Sequence, residues 1–102
     1  MDNRVRPQKG QWVIAKHGTE WFPGLVDECD DDEIRVDCMQ RTRNRRRGVS
    51  TFYWPAVNDC YWYDIHDIIT HIRSPIKSGN NSRVFLLHED DEEKIKLLAS
   101  VC

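Results

Sequence analysis

Residues 10–73 consist of short runs in which apolar and polar positions alternate, each closed by residues that favour turns. Trp12, Ile14 and Lys16 alternate with Gln11, Val13 and Ala15, so a first strand here carries apolar side chains on both faces. His17-Gly18-Thr19 turns the chain, and Trp21-Phe22-Pro23-Gly24-Leu25-Val26 opens a second strand. The acids at 27–32 cannot be buried together and read as a hairpin turn, after which Ile34, Val36 and Cys38 share one face of a third strand. Residues 40–50 lack apolar partners until Val49 and read as a solvated loop. Thr51-Phe52-Tyr53-Trp54 has strong strand propensity and predicts the fourth strand, with Pro55 ending its pairing by removing a backbone donor. The aromatic pattern resumes at Tyr61-Trp62-Tyr63. A single helical turn over 64–67, capped by Asp64, then leads into a last strand at 68–72.

Residues 1–9 are polar and predict a disordered lead-in. Residues 74–102 form an extension: an apolar segment at 84–87 after a turn, then a helix over about 90–100. Acids crowd the start of that helix, where its dipole is positive, and Ile95, Leu98 and Val101 make a narrow apolar stripe. No internal repeat is present. The expected architecture is mainly β, a single five-stranded barrel with a short C-terminal helical extension.

Two stretches strengthen that expectation by resemblance. The pattern Gly10-x-x-Val13-x-Ala15-Lys16, a short turn, then Trp21-Phe22-Pro23-Gly24-x-Val26 resembles the first two strands of Tudor and PWWP domains, SH3-like barrels of the Royal superfamily. Phe52-Tyr53-Trp54-Pro55 with Asp59, followed by 64–68, is similar to small-barrel domains of uncharacterised, transposon-derived animal proteins. The first resemblance implies a non-enzymatic reader of a protein or histone peptide, often one carrying methylated lysine or arginine, in a nuclear chromatin setting. It also makes Phe22, directly before the proline, a wall of an aromatic cage. The family's other walls fall at the ends of the first and third strands, which here hold Lys16-His17 and Cys38-Met39.

Rings attract a methylated cation through their quadrupole, and such a cage needs several of them on neighbouring strand ends. Tyr53, Tyr61, Trp62 and Tyr63 are the candidate further walls. Alternation requires about half of the aromatics to be core instead, with Trp12 and Trp54 first among them.

The overall charge of −2 carries no argument for nucleic acid, so any such role needs a local patch. Arg41, Arg43, Arg45, Arg46 and Arg47 form one, able to neutralise several phosphates; the alternatives are a solvated loop or a nuclear-localisation signal. Asp64, His66 and Asp67 lie close in sequence, but no nucleophile, phosphate loop or metal spacing accompanies them, and binding is expected rather than catalysis. The four cysteines lack zinc-site spacing and read as reduced thiols of an intracellular domain, so neither a metal nor another cofactor is expected. No apolar run approaches a membrane span, and the domain is expected to be monomeric.

Overall fold

The structure, a computed structural model, describes residues 6–42, 50–57, 60–79 and 83–101, with side chains as far as residue 98. It is mainly β, with one C-terminal helix. Strands β1 (Trp12–His17), β2 (Glu20–Cys29) and β3 (Glu33–Cys38) form an antiparallel meander through the two turns that the sequence predicts. Asp30 tightens the second turn: its N–H donates to Glu33 O (2.8 Å), and its carboxylate accepts from Asp31 N (2.8 Å). Two-residue β4 (Gln40–Arg41) and β5 (Thr51–Tyr53) follow, then β6 (Cys60–Asp64), a 3₁₀ turn at Ile65–Asp67, and β7 (Ile68–Ile72). Strands β8 (Ile76–Lys77) and β9 (Val84–Leu86) precede helix α1 (Glu89–Val101).

The strands sort into two sheets, ordered β6-β3-β2-β1-β7 and β4-β5-β9-β8. The expected fourth strand at 51–54 is therefore not the neighbour of β3. Cys60–Asp64 takes that place, with Ile34 opposite Tyr63 and Val36 opposite Tyr61. The exchange has a simple cause: Tyr61 and Tyr63 set rings on the same face as Ile34 and Val36, whereas Thr51–Tyr53 finds its apolar match in Val84–Leu86, Phe52 facing Phe85. Strands β8 and β9 of the extension thus complete a sheet with β4 and β5. The five-stranded sheet begins at β6 and ends at β7, and these two edge strands do not pair with each other.

Strand β1 lies between two cores. Val13 and Ala15 join Val26, Ile34, Val36, Cys38, Tyr63 and Ile68 on one side. Ile14 belongs to the other side, with Met39, Phe52, Leu87 and Ile95, against which Trp12 and Trp21 pack. A strand covered on both faces explains why WVIA is apolar at successive positions. Trp54, expected in the core, is 36% exposed and instead sets its ring against that of Trp12, centroids 5.7 Å apart.

Helix α1 turns a different face inward from the predicted stripe. Asp91, Glu92 and Ile95 are buried, while Leu98 is exposed. The reason is polar: Asp91 accepts from Arg73 N (2.9 Å), Glu92 accepts from Ser50 N (3.2 Å), and Lys94 donates to His71 O (2.8 Å). These bonds satisfy backbone groups at the strand ends and fix the rotation of the helix. Val101 has no described side chain. No helix among the described residues is long and apolar enough to cross a membrane.

Candidate functional site

Strand β1 ends on its core face with His17, two and four residues after Ala15 and Val13. In a flat sheet β1 and β6, three strands apart, would stand about 14 Å from each other. Yet the His17 ring lies 6.4 Å from Tyr61, tilted by 32°, and 6.4 Å edge-on from Tyr63. The sheet is therefore strongly coiled, and the coiling brings the end of its first strand over its edge strand. Bulges in the β1–β7 and β2–β3 ladders increase that twist.

The coil leaves a cavity of about 480 Å³ lined by Lys16, His17, Gly18, Tyr61–Asp64 and Asp67. Tyr63 forms its fixed floor, 7% exposed, with its hydroxyl 3.4 Å from the Cys38 thiol. Tyr61 and Trp62 stand more open, at 55% and 47%. Large rings left half in water are the arrangement that allows a flat aromatic face to meet a ligand.

Two carboxylates border the rings. Asp64 caps the 3₁₀ turn as the sequence predicts, its Oδ1 accepting from His66 N (2.8 Å) and lying 2.7 Å from His66 Nδ1. The backbone bond first, and the imidazole second, hold its carboxyl below the usual carboxylate range, so it is anionic at neutral pH. Asp67 is exposed, and its carboxylate makes no hydrogen bond or ion pair among the described residues.

Of the five aromatic candidates, Tyr61, Trp62 and Tyr63 line this cavity; Tyr61 and Tyr63 share the face of β6 that meets His17, whereas Trp62 leaves the strand on the opposite face, at the cavity's margin. Phe22 is half-buried against the core cluster of Val13 and Val26, and lies outside the cavity lining. Tyr53 is in the second sheet, paired with Gln40 and Val84. His17 and Asp67 escaped selection. The sequence signal for His17 was its place at the end of the first strand, where the resembling domains carry a wall. Asp67 had none beyond its proximity to Asp64.

Arg41 is taken up by the fold. Its guanidinium lies 4.6 Å from the Trp21 ring centroid and 5.6 Å from that of Phe52, and donates to Trp21 O (3.1 Å). Arg43, Arg45, Arg46 and Arg47 lie outside the described residues. Of the described residues on either side of them, Thr42 donates its N–H to Thr51 O (2.9 Å), and Ser50 donates its N–H to Glu92 of α1 (3.2 Å).

Cys29, Cys38 and Cys60 are free thiols. Burial, followed by the charge of Asp37, pushes the Cys60 thiol up, which disfavours its thiolate. Among the described residues no three histidine, cysteine or acidic side chains converge on a point that could hold a metal ion. No protein-family model, no curated protein and no solved structure matches the chain.

Proposed function

We propose that this chain is a non-enzymatic binding module of the SH3-like, Tudor type that takes a cationic side chain of a protein segment into the cavity of His17, Tyr61, Trp62 and Tyr63. Its setting is chromatin, in the nucleus. The observation that carries the reading is the gathering of the Tyr61 and Tyr63 rings and the His17 imidazole, from strands three places apart, with Trp62 at the margin and two carboxylates beside them. Aromatic faces and anions both attract a cation, and neither attracts a phosphate.

The strand order adds support. A three-stranded meander whose third strand pairs with the next core strand, a 3₁₀ turn, and a last strand returning to β1 is the order of SH3-like barrels. Here β4 and β5 are an insertion that joins β8, β9 and α1 in covering the outer face of β1.

The test is a titration of isotopically labelled protein with histone-tail peptides, unmodified and methylated on lysine or arginine. Saturable shifts are expected at His17 and Tyr61–Asp64, and Tyr61→Ala is expected to weaken binding by about two- to thirtyfold. Shifts confined to Phe22 and Tyr53, or an unchanged affinity in the variant, would refute this assignment of the site.

A further inference from the structure

We infer that the cavity selects the guanidinium of an arginine, unmethylated or singly methylated, over a quaternary ammonium. The inference rests on reading the chain as a peptide-binding module and concerns what distinguishes one cationic side chain from another there.

Rings alone do not discriminate strongly. Each favours any cation over its face, and at a site as open as this one, with Tyr61 and Trp62 about half exposed, the gain per ring is only about two- to fivefold. Carboxylates do discriminate. A trimethylated ammonium has no N–H and meets an acid only as a diffuse charge, whereas a guanidinium presents five donors in a plane that matches carboxylate geometry. At carboxylates as exposed as these, a charge-assisted hydrogen bond contributes about two- to fivefold in affinity, and two acids compound it. Ring contact is common to both ligands, so the acids decide the preference.

Both acids are available to a ligand. Asp64 uses Oδ1 for both His66 contacts and is held in its anionic form, leaving Oδ2 as an acceptor. Asp67, exposed at the end of the 3₁₀ turn, has no partner among the described residues. Lys16 is the opposing charge in the lining. Its Cβ leaves β1 on the face opposite that of His17, and it sits across the ladder from Trp21, at the margin of the cavity. The lining is left with two carboxylates and one lysine, a net attraction for a cation that can donate. Each added methyl removes an N–H, so a dimethylated guanidinium loses part of the advantage, and an ammonium lacks the planar fork.

The experiment compares seven-residue Gly-Ser peptides with one central arginine, monomethylarginine, dimethylarginine, lysine or trimethyllysine, titrated calorimetrically and by chemical shift into the full chain and into Asp67→Asn. Asp67 is chosen because Asp64 also caps the turn. Arginine and monomethylarginine are expected to bind about fivefold or more tighter than trimethyllysine, and Asp67→Asn to narrow that preference to about twofold. Tighter binding of trimethyllysine, or a preference unchanged by Asp67→Asn, would overturn the inference while leaving a peptide-binding module. No shift at His17 or Tyr61–Asp64 with any peptide would overturn both.

Discussion

Placing a methyl group on Gly24 tests the tightest approach in the coiled sheet. Gly24 is on the core face of β2, opposite Cys38. A Cβ built there overlaps Val36 Cγ1 and lies 3.0 Å from Asp37 O and 3.2 Å from Cys38 Sγ. Ordinary carbon contacts are about 3.5–4.0 Å, so at least one neighbour has to move. Val36 is completely buried, and its branched Cβ restricts it to few rotamers, while Asp37 O is backbone. The sheet must therefore open between β2 and β3, at an overpacking cost of about 1–3 kcal/mol. Against this stands about 0.4–1 kcal/mol gained when Ala replaces Gly and the unfolded chain loses freedom. The net expectation for Gly24→Ala is a loss of about 1–2 kcal/mol, a fall in melting temperature of about 4–15 °C at this chain length. Urea unfolding followed by tryptophan fluorescence should show a lower midpoint at unchanged slope. Combining Gly24→Ala with Val36→Ala should recover part of the loss as a coupling energy above about 0.5 kcal/mol. Gly18→Ala is the control: nothing lies within 4 Å of its Cβ, and only its φ of +64° opposes the change, so it should not couple to Val36. A neutral or stabilising Gly24→Ala, or purely additive behaviour with Val36→Ala, would refute the close approach.

Four further outcomes follow from the packing and the charges. Ile95→Ala should cost about 2–4 kcal/mol in denaturant unfolding because the side chain is fully buried, while Leu97→Ala, on a residue 71% exposed, should stay within about 0.5 kcal/mol. Asp64 stabilises the fold as an anion: its contribution is complete above the ordinary carboxylate value and is lost as pH falls through its own lower one. A carboxyl-detected NMR titration should place its midpoint below the ordinary range, and His66→Ala should raise that midpoint only part of the way, since the backbone bond is the larger cause. Arg41→Ala should cost about 1–3 kcal/mol in the same unfolding assay through its lost ring and carbonyl contacts. If the arginine segment binds nucleic acid, Arg45, Arg46 and Arg47 changed to Ala should flatten the salt dependence of duplex-DNA binding by about 0.9 in slope per lost contact.

What the sequence made legible was local. Alternation and turn residues located β1, β2, β3 and β7 and the capped turn before β7, because each of these signals is contained within a few neighbouring residues. The second sheet was invisible for the opposite reason. Phe52 pairs with Phe85 across more than thirty residues, and nothing near either one records its partner. The buried face of α1 was misread because hydropathy counts Asp91 and Glu92 as outward, whereas backbone donors at Arg73 and Ser50 draw them in. Within the site, the ring-rich run at 61–63 was legible as composition, but its meeting with His17 depends on how far the sheet coils.

That coiling also explains why the rings are available at all. Most large apolar side chains of the described fold go to two cores, because β1 is covered on one face by β2, β3 and β6 and on the other by the second sheet with α1. Trp12, Trp21 and Phe52 are absorbed there, with Arg41 closing over Trp21 and Phe52. Strand β6 is different: it is an edge, paired only with β3 in the ladder, and its core face is filled as far as Tyr63 by Ile34, Val13 and Ala15. One register step along the same face, Tyr61 passes beyond the packed cluster and sets its ring against His17. A strand that continues past its core with aromatic rather than charged residues retains apolar surface that folding does not cover, a cost that a purely structural edge avoids by placing charges there. On the proposed reading a ligand offsets that cost, and Asp64 and Asp67 beside the rings favour a positively charged one.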